Sequence, residues 1–184
     1  KGITTDMVGQ GPGELNVALE ISMNDVDNIQ FTGTYDFQGS SIRNEEAGIP
    51  ALKNIYGVLE FDNDSVIIKK SNATLYNSPI EIELITKLDI NQFNVNGIIN
   101  SEFIGKILGA QFSNKIDGQA SWSAEINLFN DKTDILVSSD MSGLSINSLG
   151  NLNKNADELE SFYFSKKSTS KNSEKINFLY GESI

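Results

Sequence analysis

The chain has 184 residues, a formal net charge of −11, and neither histidine nor cysteine. The missing residue types exclude a Ser–His–Asp triad, a cysteine nucleophile, a disulfide scaffold and any metal site built on imidazole or thiolate ligands. The acidic balance disfavours nucleic acid and anionic membrane surfaces as direct partners, and no run of about 18 apolar residues is present to span a membrane.

The length fits one domain, or one segment of a longer repetitive array. Because the chain begins with Lys1 rather than methionine, we expect it to be a fragment of a larger precursor. We predict a single β-rich unit over residues 1–164. A polar, Ser- and Lys-rich loop or linker over 165–174 follows, and residues 175–184 could supply an edge strand.

Apolar and polar residues alternate along most of the chain, which is the pattern of strands with one buried face. Turn residues separate the alternating segments, as at Gly39–Ser41 and Asp62–Asp64. The segments recur about every 10 to 15 residues, which predicts an antiparallel meander. The predicted strands are 15–21, 29–37, 55–61, 66–68, 73–75, 80–88, 93–99, 116–128 and 135–141.

The longest of these strands, 116–128, shows the pattern most clearly. From Ile116 to Leu128, every second residue belongs to the series Ile, Gly, Ala, Trp, Ala, Ile and Leu, while every intervening residue is polar. A strand this long with one apolar face builds a broad apolar sheet surface. The function of the chain therefore depends on what covers that surface.

One segment departs from the period of two. Phe103, Ile104, Ile107 and Leu108 have the three- and four-residue spacing of a helix. We predict a short helix near 101–108, with Ser101 as its N-cap and a glycine, Gly109, at its end.

Carboxylates are the remaining source of catalytic chemistry. Asp62 and Asp64 lie in a turn sequence, and a calcium loop of the EF-hand type would also need a glycine and a distal glutamate that are missing. Glu81 and Glu83 lie on the polar side of one strand, whereas a glycosidase needs two carboxylates facing across a cleft. We therefore expect no enzymatic activity, no cofactor and no bound metal.

Trp122, the single tryptophan, lies on the apolar side of the 116–128 strand. It either fills a gap in a core or lines a ligand groove, where its large surface would contact acyl chains. Periodicity alone leaves both alternatives open.

Two stretches resemble parts of one known family. Residues 54–61 (NIYGVLEF), 66–73 (VIIKKSNA) and 78–80 (SPI) resemble the recurring unit of AsmA-like proteins: a G-x-L-x-F strand, a hairpin, an Ala-containing strand, and Pro-Ile opening the next strand. Residues 116–122 (IDGQASW) and 136–144 (LVSSDMSGL) resemble the late region of the YhdP type within that family. In that type a Leu-Pro-x-Pro stretch ending in Lys usually follows, and here residues 147–154 keep a leucine and the lysine but contain no proline.

The resemblance implies a long, antiparallel, curled sheet that forms an apolar groove. It also implies a large protein of the Gram-negative envelope, anchored in the inner membrane and crossing the periplasm, that carries phospholipid between the inner and outer membranes. This chain would be one periplasmic segment of that groove, with phospholipid acyl chains and the neighbouring segments of the same chain as its partners.

The apolar sides of the successive strands supply the expected groove lining. A competing hypothesis is a closed β-sandwich, an interaction or adhesion module of a secreted or cell-surface protein, in which the apolar faces of two sheets cover each other. The candidate lining residues are Val17, Leu19, Phe31, Leu59, Ile82, Leu84, Val95, Trp122 and Ile126.

Overall fold

The fold is mainly β, as the alternation predicts. The structure, a computed structural model, describes residues 7–22, 25–44, 49–87, 90–129, 132–147, 152–170 and 173–181. Its strands are β1 (Val8–Gln10), β2 (Gly13–Ser22), β3 (Asp25–Asn44), β4 (Ile49–Asp62), β5 (Val66–Leu75), β6 (Ser78–Lys87), β7 (Ile90–Asn100), β8 (Ile116–Phe129), β9 (Lys132–Ser139), β10 (Leu144–Ile146), β11 (Phe162–Ser170) and β12 (Ser173–Tyr180).

These strands form one 12-stranded sheet in the order β1-β3-β4-β5-β6-β7-β8-β9-β11-β12, with β2 also paired to β3 and β10 to β8. Every pairing is antiparallel, and the sheet is not closed into a barrel. The predicted antiparallel sheet is confirmed. A closed sandwich requires two sheets packed face to face, whereas the described strands belong to a single sheet.

Two irregularities in the ladder displace the boundaries that the sequence predicts. The predicted turn at Gly39–Ser41 is a bulge within β3, where Gly39 has a φ of +97° and the strand continues to Asn44. In β5, Ile68 pairs with Leu84 but the next pair is Ser71 with Ile82, so β5 has one extra residue. The bulge moves the residues of β5 that face the apolar side from even-numbered to odd-numbered positions. The single strand β5 therefore appears in the sequence as two short strands, 66–68 and 73–75.

The polar run after residue 164 is the largest difference from the sequence-based expectation. Residues 165–170 belong to β11 and residues 173–174 begin β12, where the sequence predicts a loop or linker. The polar groups of this run are bonded to the sheet: the Ser168 N–H donates to the Asp134 carboxylate at 2.9 Å, and the Asn177 amide donates to Ser165 Oγ at 3.1 Å. Pairing with β9 and β12 therefore holds this segment in a strand, although it contains few apolar side chains whose burial would stabilise it.

The predicted edge strand corresponds to the remainder of β12, which is the last strand in the sheet order. Residues 182–184 of that prediction, and residues 171–172 of the predicted loop, lie outside the described residues.

The predicted helix is present as α1 (Ser101–Leu108), followed by a second short helix, α2 (Ala110–Ser113). The N-cap is Asn100 rather than Ser101, because the Asn100 side-chain oxygen accepts a hydrogen bond from the Phe103 N–H at 2.9 Å. Gly109 ends α1 with a φ of +108°, as expected. Within the described part of the chain, neither helix has the length and hydropathy needed to cross a membrane.

Candidate functional site: an apolar sheet face

The register brings the apolar residues of ten strands into continuous rows across the sheet. The Leu84 row contains one residue from each of β2 to β9, β11 and β12, and its single charged member is a lysine. In order, its members are Leu15, Tyr35, Leu59, Ile68, Leu84, Phe93, Ile126, Ile135, Lys166 and Ile176.

A second row, the Ile82 row, lies beside the first on the same face. It mixes large and small side chains, and Ser71 is its polar member. Its members are Gly13, Phe37, Gly57, Ser71, Ile82, Val95, Ala124, Val137, Phe164 and Phe178. The apolar face consists of these two rows and the other residues on the same side of the strands.

Burial along the apolar face is greatest in the middle strands. Ile82 and Leu84 are each 7% exposed and Val95 is 9% exposed, although no second sheet lies over them among the described residues. Ile82 and Val95 belong to one buried cluster, and partly buried neighbours such as Leu59 and Phe93 pack against it. Since a flat single sheet would leave such side chains open to water on one side, this burial indicates a sheet curled around its apolar face.

The outer strands leave the same face open. On β2, Leu15 is 60% exposed and Leu19 is 67% exposed, and on β12 Ile176 is 61% and Phe178 60% exposed. Exposed large apolar side chains in a contiguous row are a feature of ligand and partner surfaces rather than of an ordinary soluble surface.

The rows are long compared with a lipid. Nine inter-strand steps of about 4.8 Å give each row a length of about 43 Å. The hydrocarbon core of a bilayer is about 30 Å thick and contains two leaflets, so the acyl chains of one phospholipid extend about 15 Å. The apolar face is therefore long enough to hold more than one phospholipid, one after another along a row.

The candidate lining residues predicted from the sequence fall into three groups on this face. Two are exposed on β2, four are half-buried, and three are buried in the middle strands. In that order they are Val17 and Leu19; Phe31, Leu59, Trp122 and Ile126; and Ile82, Leu84 and Val95.

The rows also contain residues that are not among the predicted lining residues. Tyr35, Ile68, Phe93, Ile135 and Val137 lie on the apolar face. The alternation within β3 and β7 is sufficient to predict that Tyr35 and Phe93 lie on this face. Ile68 is obscured by the bulge in β5, because its position in the row is apparent only when the pairing with β6 is known.

Trp122 lies where the apolar face meets α1. Its ring packs against the buried cluster of the middle strands, and its centroid is 5.8 Å from that of Phe103 in α1. The Trp122 side chain passes over Gly97 on β7: a Cβ at position 97 would be 2.8 Å from both the indole Nε1 and the Ile80 Cγ2. Trp122 is thus both packed against the core and half-exposed.

Gly97→Ala is expected to lower the free energy of unfolding by about 1–3 kcal/mol, because the added methyl group overpacks the contact between Ile80 and Trp122. The matched control is Gly9→Ala in β1, where a Cβ would meet nothing within 4 Å. Urea unfolding of the two variants measures the difference. Equal midpoints for both would contradict this packing.

The carboxylates that the sequence singled out lie in solvent-exposed ion pairs and turns. Asp62 accepts hydrogen bonds from the N–H groups of Asp64 and Ser65, which lower the pKa of the Asp62 carboxyl. The turn is therefore stabilised at neutral pH and loses that contribution as the pH falls through the lowered pKa. Glu81 pairs with Lys70, whose pKa is raised mainly by that hydrogen bond, and neither site has the geometry of an acid pair across a cleft.

Comparison with known proteins supports the family suggested by the sequence motifs. The family model described as YhdP protein matches residues 1–184, which is the entire chain. No curated protein and no solved structure matches it.

Proposed function

Because the chain belongs to the YhdP family of AsmA-like proteins, we propose that it is one segment of a protein that carries phospholipid between the inner and outer membranes along an apolar β-groove. The family is a lipid-transport family associated with the bacterial envelope. In this proposal the segment lies in the periplasm, the intact protein is anchored in the inner membrane, and neighbouring segments of the same chain extend the groove. It acts without enzymatic chemistry.

The observation that supports this proposal is the continuity of the Leu84 and Ile82 rows across ten strands. Each buried methylene of an acyl chain gains about 0.8 kcal/mol. Because the hydrophobic effect is non-directional, a chain that slides along an even apolar row gains nearly the same free energy at each position. The surface therefore holds lipid without fixing it in one place.

The polar members of the rows do not interrupt this surface. Ser71 Oγ donates to the Tyr56 carbonyl at 2.9 Å and is 2% exposed, so its polar group is satisfied within the sheet. Lys166 pairs with Glu174 through its Nζ at 2.7 Å, which leaves its methylene stem to continue the row.

A photo-crosslinking amino acid on the apolar side of a strand should capture phospholipid, whereas the same group on the opposite side should not. We expect crosslinks from Val17 and Ile126, which are exposed and half-buried on the apolar face. The purified chain is incubated with mixed phosphatidylethanolamine and phosphatidylglycerol vesicles, irradiated, and analysed by mass spectrometry.

Adjacent residues provide the matched controls, since neighbouring side chains of a strand point to opposite faces. Ala18 is the control for Val17, and Glu125 is the control for Ile126. Lipid crosslinks at all four positions in equal yield would indicate non-specific adsorption, and no lipid at any of them would refute the proposed function.

A further inference from the structure

Two buried polar atoms have no hydrogen-bond partner in the part of the chain that the structure describes: Ser78 Oγ and Trp122 Nε1. Ser78 is 1% exposed. A buried donor without an acceptor loses its hydration and gains nothing in return, so such groups are rare in folded proteins and require an explanation.

Trp122 contacts α1 directly, and Ser78 lies beside a turn that α1 contacts. Trp122 contacts Phe103 of α1, and Phe103 also stacks edge-on against Tyr76 with ring centroids 5.4 Å apart. Tyr76 is in the turn that leads into β6, two residues before Ser78. The unpaired hydroxyl and the unpaired indole N–H therefore lie at the same end of the apolar face.

The position of α1 depends on a small number of contacts. The Asn77 side chain donates to the Glu102 carboxylate at 2.7 Å, Asn100 caps the helix, and Phe103 and Ile104 are its buried residues. An eight-residue helix is marginal without tertiary contacts. Among the described residues, separating α1 from the sheet breaks the Asn77–Glu102 hydrogen bond and exposes the Phe103 and Ile104 side chains.

We propose that Ser78 and Trp122 form a polar anchoring site for a phospholipid, covered by α1 in this structure, that binds an ester carbonyl oxygen while the acyl chains lie on the apolar face. When α1 moves away, the Ser78 hydroxyl and the Trp122 N–H donate to that oxygen. This inference rests on the proposed lipid-carrying function.

The chemistry of the two groups selects the ligand atom. The indole N–H is a donor only, and a serine hydroxyl is able to donate, so the ligand must present an acceptor. Both donors are uncharged, and the charged group in the adjoining first turn of α1 is the carboxylate of Glu102. A neutral carbonyl oxygen fits this environment better than an anionic phosphate does.

The first test compares Ser78→Ala with Ser71→Ala. Both serines are buried in the sheet, but Ser71 Oγ has a partner and Ser78 Oγ has none among the described residues. We expect Ser78→Ala to unfold at an equal or higher urea concentration than the wild type, and Ser71→Ala at a lower one. A lower midpoint for Ser78→Ala would show that an enclosed water or another group satisfies Ser78, and would overturn the inference.

The second readout is lipid binding, measured through quenching of Trp122, the only tryptophan in the chain, by phospholipid with brominated acyl chains. We expect the wild type to bind the diester lipid about five- to hundredfold more tightly than its diether analogue, because the diether lacks the oxygen that accepts both hydrogen bonds. Ser78→Ala should reduce this preference about three- to tenfold, because only the Trp122 N–H then donates to the oxygen, and Ser71→Ala should keep it. Equal affinity of the wild type for both lipids would overturn the inference.

The third test holds α1 in place. The chain has no cysteine, so Asn77→Cys with Glu102→Cys introduces two thiols at a contact between the turn and α1, and a short reducible bifunctional reagent links them. We expect the link to abolish the preference for the diester lipid and reduction to restore it. Each single-cysteine variant, treated with the same reagent, should keep the preference. A linked protein that retains the preference would show that α1 does not cover the site.

These results separate this inference from the proposed function. If brominated lipid quenches Trp122 without any ester preference, the groove proposal stands and the anchoring site does not. If no lipid binds and no crosslink forms at Val17 or Ile126, both are wrong.

Discussion

Leu84→Asp is expected to unfold the chain, with a loss of more than about 4 kcal/mol in the free energy of unfolding. Leu84 is 7% exposed and lies in the centre of its row, between Ile68 and Phe93. Removing a buried leucine side chain costs about 2–5 kcal/mol, and an unpaired carboxylate in its place adds the cost of burying a charge. The loss is comparable with the entire stability of many domains.

The matched control is Leu19→Asp, on the same face of the outer strand β2. Leu19 is 67% exposed, so the carboxylate remains hydrated and the expected loss is about 1 kcal/mol or less. Circular dichroism and urea unfolding of both variants make the comparison. A native-like Leu84→Asp variant with the wild-type midpoint would mean that the middle of the apolar face is open in solution.

Ile126→Asp tests the half-buried part of the face. We expect a folded protein of reduced stability, because a side chain at this position reaches solvent. A carboxylate in the Leu84 row should also prevent acyl chains from passing it, so phospholipid crosslinking from the neighbouring strand positions should fall.

Lys154→Met is expected to lower the free energy of unfolding by about 2–4 kcal/mol. Lys154 is 3% exposed, and its Nζ donates to the carbonyl oxygens of Leu144 and Asn155, each at 2.8 Å. Its backbone also pairs with Ile146 in both directions, at 2.9 and 3.0 Å. Hydrogen bonds to charged groups contribute about 1.5–3 kcal/mol each, and methionine keeps the packing of the stem while removing both.

The Lys154→Met variant should also lose stability locally, because Lys154 attaches its segment to β10, and β10 pairs with β8. We expect hydrogen exchange to accelerate first at residues 144–146. The control is Lys69→Met, since Lys69 forms an ion pair with Glu60 while its side chain remains 76% exposed, and such pairs contribute little. Equal midpoints for the two variants would show that burial of Lys154 does not stabilise the fold.

The motif that contains Lys154 predicts the presence of a lysine but not its role. The resemblance to the YhdP type leads to the expectation of a lysine at the end of the 147–154 stretch, and the chain belongs to that family. The motif does not indicate what the lysine does. Its role depends on two carbonyl groups, one of them ten residues away in the sequence, and only the folded chain brings them to the ammonium group.

The fold class, most of the strands and α1 can be predicted from the amino-acid sequence, because they depend on local periodicity. A period of two places alternate side chains on one face whatever the partner strand is. The spacing of Phe103, Ile104, Ile107 and Leu108 favours a helix for the same reason. The absence of histidine and cysteine likewise excludes whole classes of chemistry, because no fold can supply an imidazole or a thiolate that the chain does not contain.

Long-range strand pairing, by contrast, sets which residues share a row, which are buried, and which polar segments join the sheet. The bulges at Gly39 and after Ile68 shift the phase of β3 and β5, and their positions depend on pairing between strands. Residues 165–170 form a strand because β9 and β12 supply their hydrogen bonds. Exposure along the apolar face, from 7% at Leu84 to 67% at Leu19, follows from curl and edge position, which local sequence does not encode.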